Sequence, residues 1–181
     1  MPGARVSASF FDVLGVSAAV GRTFTAAEDT PGAPAVAVIG RRYWTRRFNG
    51  TPGAVGATLT LNSAPYTIVG ALGIDLPPPF ADVDVWAPRV DEITGFPRTL
   101  ISGGLGYLTA VARLAPGVRV EQAQSEVDAI AHAYARANAT NTDADPDASL
   151  RLVPIRERGS GSARSPLLVL TGAVGLVLLI A

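Results

Sequence analysis

Few residues of this 181-residue chain are able to do chemistry. Cysteine is absent, which excludes disulfides, thiolate catalysis and Cys-ligated metals. His132 is the single histidine, whereas a zinc site or a catalytic triad needs several partner residues. We therefore predict no catalytic residue, no metal site and no cofactor, and we expect His132 to lie exposed on a helix beside Asp128.

Glycine-rich and acidic stretches imitate binding motifs without completing them. The phosphate-binding pattern GxxxxGK[ST] is absent, so this chain is not expected to be an ATPase. The stretches SGGLG and GSGS do not join a strand to a helix in the dinucleotide-binding pattern. DADPDAS, residues 143–149, has the acidic spacing of a calcium loop, but Ala148 and Pro154 replace its Gly and Glu. We interpret all three stretches as loops.

Four arginines surround two aromatic residues in RRYWTRRF, residues 41–48. Such a patch raises the hypothesis of nucleic-acid binding. However, fifteen basic residues balance fifteen acidic ones, so no global field favours phosphates. We predict no nucleic-acid partner. The patch is interpreted as a surface helix whose aromatic side chains pack inward and whose arginines pair with acids such as Glu28 and Asp29.

The elements that must position these residues are strands interleaved with helices. Residues 10–16 (FFDVLGV) resemble a short buried helical turn. Residues 118–138 are predicted to form the clearest helix, with an apolar stripe of Val120, Ala123, Val127, Ile130 and Tyr134. A hairpin is expected where Ser63-Ala64 joins TLTLN to PYTIVGAL. Further strands are predicted in VAVIG (36–40), DVDVWAP (82–88), GYLTAVARL (106–114) and, as a short or edge strand, SLRLVPI (149–155). This order predicts a mixed α/β (α+β) domain.

The last residues, SPLLVLTGAVGLVLLIA, are apolar on every side. A membrane span needs roughly 20 apolar residues, and roughly 15 are present, so the run is expected to be a truncated transmembrane helix. A buried core helix is the alternative, but the spacing of two glycines favours close packing in lipid. The residues expected in the membrane are Leu167, Leu168, Val169, Leu170, Gly172, Gly175, Leu176 and Leu179.

Several motifs occur in a characteristic order. They are FFDVLGV with GRTF, the strand VAVIG followed by YW and RRF, VGATLTLN with YTIVG, and ARLAPGVRVEQAQ at the entry to the long helix. Together they resemble the MacB-like periplasmic core domain of ABC transporter permeases, in the FtsX-like branch of duplicated orphan permeases. The resemblance covers nearly the whole chain and rests on the order of the motifs.

The resemblance implies three parts of the chain. Residues 1–155 correspond to an N-terminally incomplete MacB-like periplasmic core domain, 156–165 to a linker and 166–181 to the truncated membrane helix. The linker is expected to couple domain and membrane through Arg156, Arg158, Gly159 and Gly161. By this resemblance the globular domain lies on the periplasmic side of the cell inner membrane, although the positive-inside tendency favours the opposite side for these arginines.

The function implied by the resemblance is non-enzymatic. The extracytoplasmic domain of an export permease relays ATP-driven motion across the membrane to export or to lipoprotein, peptide or drug handling. The implied partners are the membrane, a cytoplasmic ABC ATPase subunit, a second permease in a homodimer or pseudo-dimer, and a periplasmic adaptor. Two alternatives stay open: a stand-alone membrane-anchored binding or scaffold domain, and a soluble enzyme with a buried C-terminal helix.

Overall fold

A computed structural model describes residues 1–89, 109–144, 150–155 and 157. Within these ranges the chain forms six strands, three α-helices with described bounds and two short 3₁₀ turns at Ala26–Asp29 and Pro52–Ala54. Ile155 and Glu157 are also helical. The strands are β1 (Gly3–Val6), β2 (Ala18–Gly21), β3 (Val36–Ile39), β4 (Thr58–Leu61), β5 (Ala64–Leu72) and β6 (Val85–Pro88). The helices are α1 (Phe10–Leu14), α2 (Arg41–Phe48) and α3 (Val120–Ala137).

The six strands form one mixed sheet. Five of them lie in the order β1-β6-β3-β5-β2, and β4 pairs with β5 off this path. β1 runs parallel to β6 and β3 runs parallel to β5, whereas β3 and β6 are antiparallel. β5 is long enough to pair with β4 through its first half and with β2 through its second half, both antiparallel. The predicted mixed α/β class is therefore confirmed for the described part of the chain.

Hydrophobic clusters cover both faces of the sheet. Val36 and Val38 of β3 belong to one cluster, which contains Phe11 and the aromatic residues around it. Ala37 and Ile39 of the same strand belong to the cluster on the other face. All four residues of β3 are buried. A strand buried on two faces explains why VAVI is a continuous apolar run without alternation.

Local signals explain the ends of α2 and the hairpin. Asn49 adopts a left-handed conformation (φ 52°) and ends α2. The hairpin turn consists of Asn62 and Ser63, both at positive φ, as a tight two-residue turn requires. The predicted turn at Ser63-Ala64 was wrong by one residue, because Asn tolerates the left-handed conformation and Ala64 already pairs with Leu61.

Two predicted strands are absent from the described residues. Residues 109–114 of GYLTAVARL are not in a strand, and neither are residues 150–155 of SLRLVPI. Alternating side chains suit a strand, but a strand also needs a neighbouring backbone to bond with, and the pattern does not supply one. Both segments are instead held by side chains.

The apolar stripe predicted for the long helix is buried only in part. Ala123 of the stripe is buried and Val127 is half-buried, whereas Ile130 is 66% and Tyr134 is 39% exposed. Ala135, outside the stripe, is also buried. The side of α3 that carries Gln124 faces residues 150–152, because Gln124 forms hydrogen bonds with the backbone of residues 150 and 152.

Candidate functional site

All the site residues predicted from the sequence lie outside the described residues. This applies to the coupling residues Arg156, Arg158, Gly159 and Gly161, and to the membrane set from Leu167 to Leu179. Among the described residues, no helix has the length and apolarity of a membrane span. The linker, the membrane helix and the three-part division of the chain therefore stay predictions, and the structure shows the segment that leads into the linker.

Residues 150–152 are attached to α3 by one side chain. Gln124 Nε2 donates to the carbonyl oxygen of Leu150, and Gln124 Oε1 accepts from the amide of Leu152, both at 2.8 Å. Gln124 Nε2 also donates to Asp128 Oδ1 at 2.8 Å, one helical turn further along. The chain that leads to the predicted linker is thus attached to the N-terminal part of α3, at the fifth residue of the helix.

The far end of α3 is also tied to the chain that follows it. The hydroxyl of Tyr134 donates to Asp143 Oδ1 at 2.8 Å, and Asn141 Nδ2 donates to the same hydroxyl oxygen at 3.2 Å. Asn138 Nδ2 donates to the carbonyl oxygen of Tyr134 at 3.0 Å. These bonds hold residues 138–143 at the C-terminal end of the helix.

The segment before α3 contacts the C-terminal end of α1. Arg113 Nε donates to the carbonyl oxygen of Val13 at 2.9 Å, satisfying one of the carbonyls that the last turn of a helix leaves free. The guanidinium lies so close to Gly15 that a Cβ placed there would be 2.7 Å from Arg113 Nη2. Val111 packs on the same cluster as Phe11. Residues 111 and 113 therefore connect the sheet core to the approach to α3.

The arginine-rich helix α2 is fixed to the sheet by ion pairs. Arg46 Nη2 lies 3.1 Å from Asp84 Oδ2, and Arg42 Nη1 lies 3.2 Å from Asp82 Oδ1. Arg41 pairs with Asp75, and its guanidinium, chiefly through this hydrogen bond, lowers the pKa of the Asp75 carboxyl.

The partners of these arginines differ from the predicted ones. Glu28 binds Arg22, and Asp29 Oδ2 accepts from the backbone amide of Ala8 at 3.0 Å. The prediction that the aromatic residues of α2 pack inward is confirmed, because Tyr43, Trp44 and Phe48 pack on the cluster under the helix. The arginines of α2 therefore hold this helix against the segment leading into β6, which the sequence did not indicate.

A charged network fixes the turn between β2 and β3. Arg22 bonds both carboxylate oxygens of Glu28, at 2.7 and 2.8 Å. The backbone amide and the hydroxyl of Thr25 donate to Glu28 Oε2 at 2.8 and 3.0 Å. The hydrogen bond from Arg22, opposed by burial and helped by Thr25, lowers the pKa of Glu28 to about 2. Glu28 is thus a structural carboxylate.

The described residues assemble no reactive cluster. Among them, no three His, Cys, Asp or Glu side chains lie close enough to hold a metal ion. His132 is exposed on α3, as expected. The sequence analysis did not identify Gln124 and Arg113 as residues that connect segments. The signals for them were weak: Gln124 lies one helical turn before Asp128, and Arg113 lies in a segment that alternates like a strand.

The sheet is covered by hydrophobic clusters on both faces, and the chain after α3 is bonded to that helix. The family model of the MacB-like periplasmic core domain matches residues 2–130. The chain belongs to this family and is an extracytoplasmic domain of the ABC transporter permease type. The resemblance based on the motif order is therefore confirmed.

Solved structures were compared with this chain as well. The chain is similar to the periplasmic region of MacB from Actinobacillus actinomycetemcomitans, with 14% identity and a TM-score of 0.49. The similarity covers 77% of this chain and 57% of that one, so the chain spans little more than half of the MacB periplasmic region. The curated proteins give no match.

Proposed function

We propose that this domain relays ATP-driven motion of an ABC-type export permease across the membrane, where the motion serves export or the handling of lipoproteins, peptides or drugs. Family membership over residues 2–130 is the observation that carries the proposal. In it, ATP is hydrolysed by a separate cytoplasmic ABC ATPase subunit, and the domain itself is non-enzymatic. The domain works on the periplasmic side of the inner membrane, in a permease homodimer or pseudo-dimer with a periplasmic adaptor.

The contacts of the described C-terminal part support a relay. Val111 and Arg113 connect the core to the segment before α3, and Gln124 connects α3 to residues 150–152. Packed and hydrogen-bonded groups transmit a displacement from one segment to the next. In the proposal, Arg156, Arg158, Gly159 and Gly161 lie between this connected region and a membrane helix at residues 166–181.

Hydrogen–deuterium exchange in the complete permease, reconstituted with its ATPase subunit, tests the proposal. ATP with vanadate traps the ATPase, and a relay predicts that exchange of residues 150–165 then differs from the nucleotide-free state. An ATPase without the lysine of its phosphate-binding loop is the matched control and should give no difference. Equal exchange with and without trapped nucleotide would overturn the proposal.

A further inference from the structure

The side chain of Gln124 takes the place of a neighbouring strand. The carbonyl oxygen of Leu150 and the amide of Leu152 flank Arg151, and one residue of a parallel strand would bond this pair of groups. Gln124 bonds both of them at 2.8 Å, since a side-chain amide has the same donor and acceptor as a peptide group. Residues 150–152 are therefore bonded as if in a sheet, but to a helix.

We propose that Gln124 is the positioning residue through which displacement of the linker reaches the domain. This inference rests on the proposed function and identifies the contact that connects the chain leading into the linker with α3. We call the two hydrogen bonds from Gln124 to Leu150 and Leu152 the glutamine bracket. When the linker moves, the bracket makes α3 move with it.

The bracket holds a segment that is only partly buried. Leu150 and Val153 are 57% and 40% exposed, whereas Leu152, Pro154 and Ile155 are half-buried. Two hydrogen bonds at 2.8 Å fix the backbone at residues 150 and 152. Because the exposed side chain of Leu150 buries little apolar area, loss of the bracket should free this backbone.

Asp128 fixes the orientation of the amide. Its carboxylate accepts a hydrogen bond from Gln124 Nε2 at 2.8 Å. A flipped amide would turn its oxygen toward this carboxylate and the carbonyl oxygen of Leu150. Its NH₂ group would face the amide of Leu152, so all three hydrogen bonds would be lost. Asp128 therefore selects the one orientation that bonds both Leu150 and Leu152.

Three variants separate the bracket from general stability. Gln124→Ala removes both bonds and retains a residue that favours helix. Gln124→Glu keeps an acceptor for Leu152 but has no donor for Leu150, and it places a second carboxylate beside Asp128. Glu126→Ala, on the exposed side of the same helix, is the matched control.

Amide exchange of Leu152, measured by NMR on the whole chain, tests the bracket itself. Loss of its hydrogen bond should accelerate exchange of this amide about tenfold in Gln124→Ala and less in Gln124→Glu. Glu126→Ala should match the wild type, and exchange in the sheet should be equal in all variants. A Leu152 amide that exchanges equally fast in Gln124→Ala and the wild type would overturn the inference.

Vanadate trapping of the complete permease tests the role of the bracket in transmission. In the wild type, trapped nucleotide should change exchange in residues 156–165 and in α3. In Gln124→Ala the change should stop at the linker, a result that a merely structural role does not produce. If the change in exchange reaches α3 undiminished in Gln124→Ala, the inference that Gln124 transmits the displacement is refuted. Absence of any change in the wild type refutes the proposed function instead, while the Leu152 measurement still decides whether the bracket exists.

Discussion

Glu28 is a carboxylate that is almost completely buried and still ionised. Only 8% of the residue is exposed, yet Arg22 and Thr25 supply four hydrogen bonds to its two oxygens. Charge-assisted bonds of this kind favour the ionised form, which explains the pKa of about 2. The consequence is a stability that depends on pH.

The variant Glu28→Gln should lower the free energy of unfolding by about 2 kcal/mol at pH 7, a value discounted because solvent screens the half-exposed Arg22. The pKa of Glu28 is lowered from 4.5 to about 2, so the contribution is complete above pH 4.5 and is lost as the pH falls through about 2. Urea unfolding of both proteins at pH 7 and pH 3 measures it. The exposed Glu126→Gln is the control, and a difference between Glu28→Gln and wild type that is the same at both pH values would contradict the assignment.

The sequence does not reveal which side chains far apart in the chain come into contact. The pairing of the α2 arginines was predicted, but with the wrong acids. Their actual partners lie 34 to 40 positions away in the chain, and Gln124 bonds residues 26 and 28 positions away. Such contacts depend on where the fold brings distant segments, and composition and spacing carry no information on that.

Elements with local signals were predicted closely. The predicted helix at residues 41–48 has the bounds of α2, because its aromatic spacing and the following Asn-Gly are both local. The hairpin β4–β5 was predicted for the same reason. The alternation of side chains in residues 109–114 wrongly predicted a strand. In the structure, Arg113 of this segment donates to the carbonyl oxygen of Val13 at the end of α1.

Gly15 allows Arg113 to approach the end of α1. It adopts a left-handed conformation (φ 70°), and a Cβ there would displace the guanidinium. Gly15→Ala should therefore cost about 1–2 kcal/mol of backbone strain and about 1 kcal/mol more for the lost Arg113 bond.

Gly32→Ala is the matched control, because Gly32 also has a positive φ (81°) but nothing within 4 Å of its Cβ position. Urea unfolding should show a larger loss for Gly15→Ala than for Gly32→Ala. The excess should vanish in an Arg113→Ala background. Equal losses for the two glycine variants in the wild-type background would show that Arg113 does not depend on Gly15.

At the scale of the whole molecule, the sheet is assembled from distant segments. β1 pairs with β6, joining Gly3 to Val85, and β3 lies between β6 and β5. Periodicity identified most of these strands but not their order, because pairing of strands far apart in the chain is set by the packing of the whole core. The family, in contrast, was recognised from the order of motifs, and the family match confirms it.

Labelling of Leu150→Cys in the complete permease, stripped of other cysteines, tests the central claim most directly. This chain has no cysteine of its own, and Leu150 is 57% exposed beside the glutamine bracket. A membrane-impermeant maleimide should react from outside intact spheroplasts, at a rate that differs between active and inactive ATPase subunits. Reaction only after lysis, or a rate indifferent to ATPase activity, would contradict the account of an extracytoplasmic domain moved by ATP.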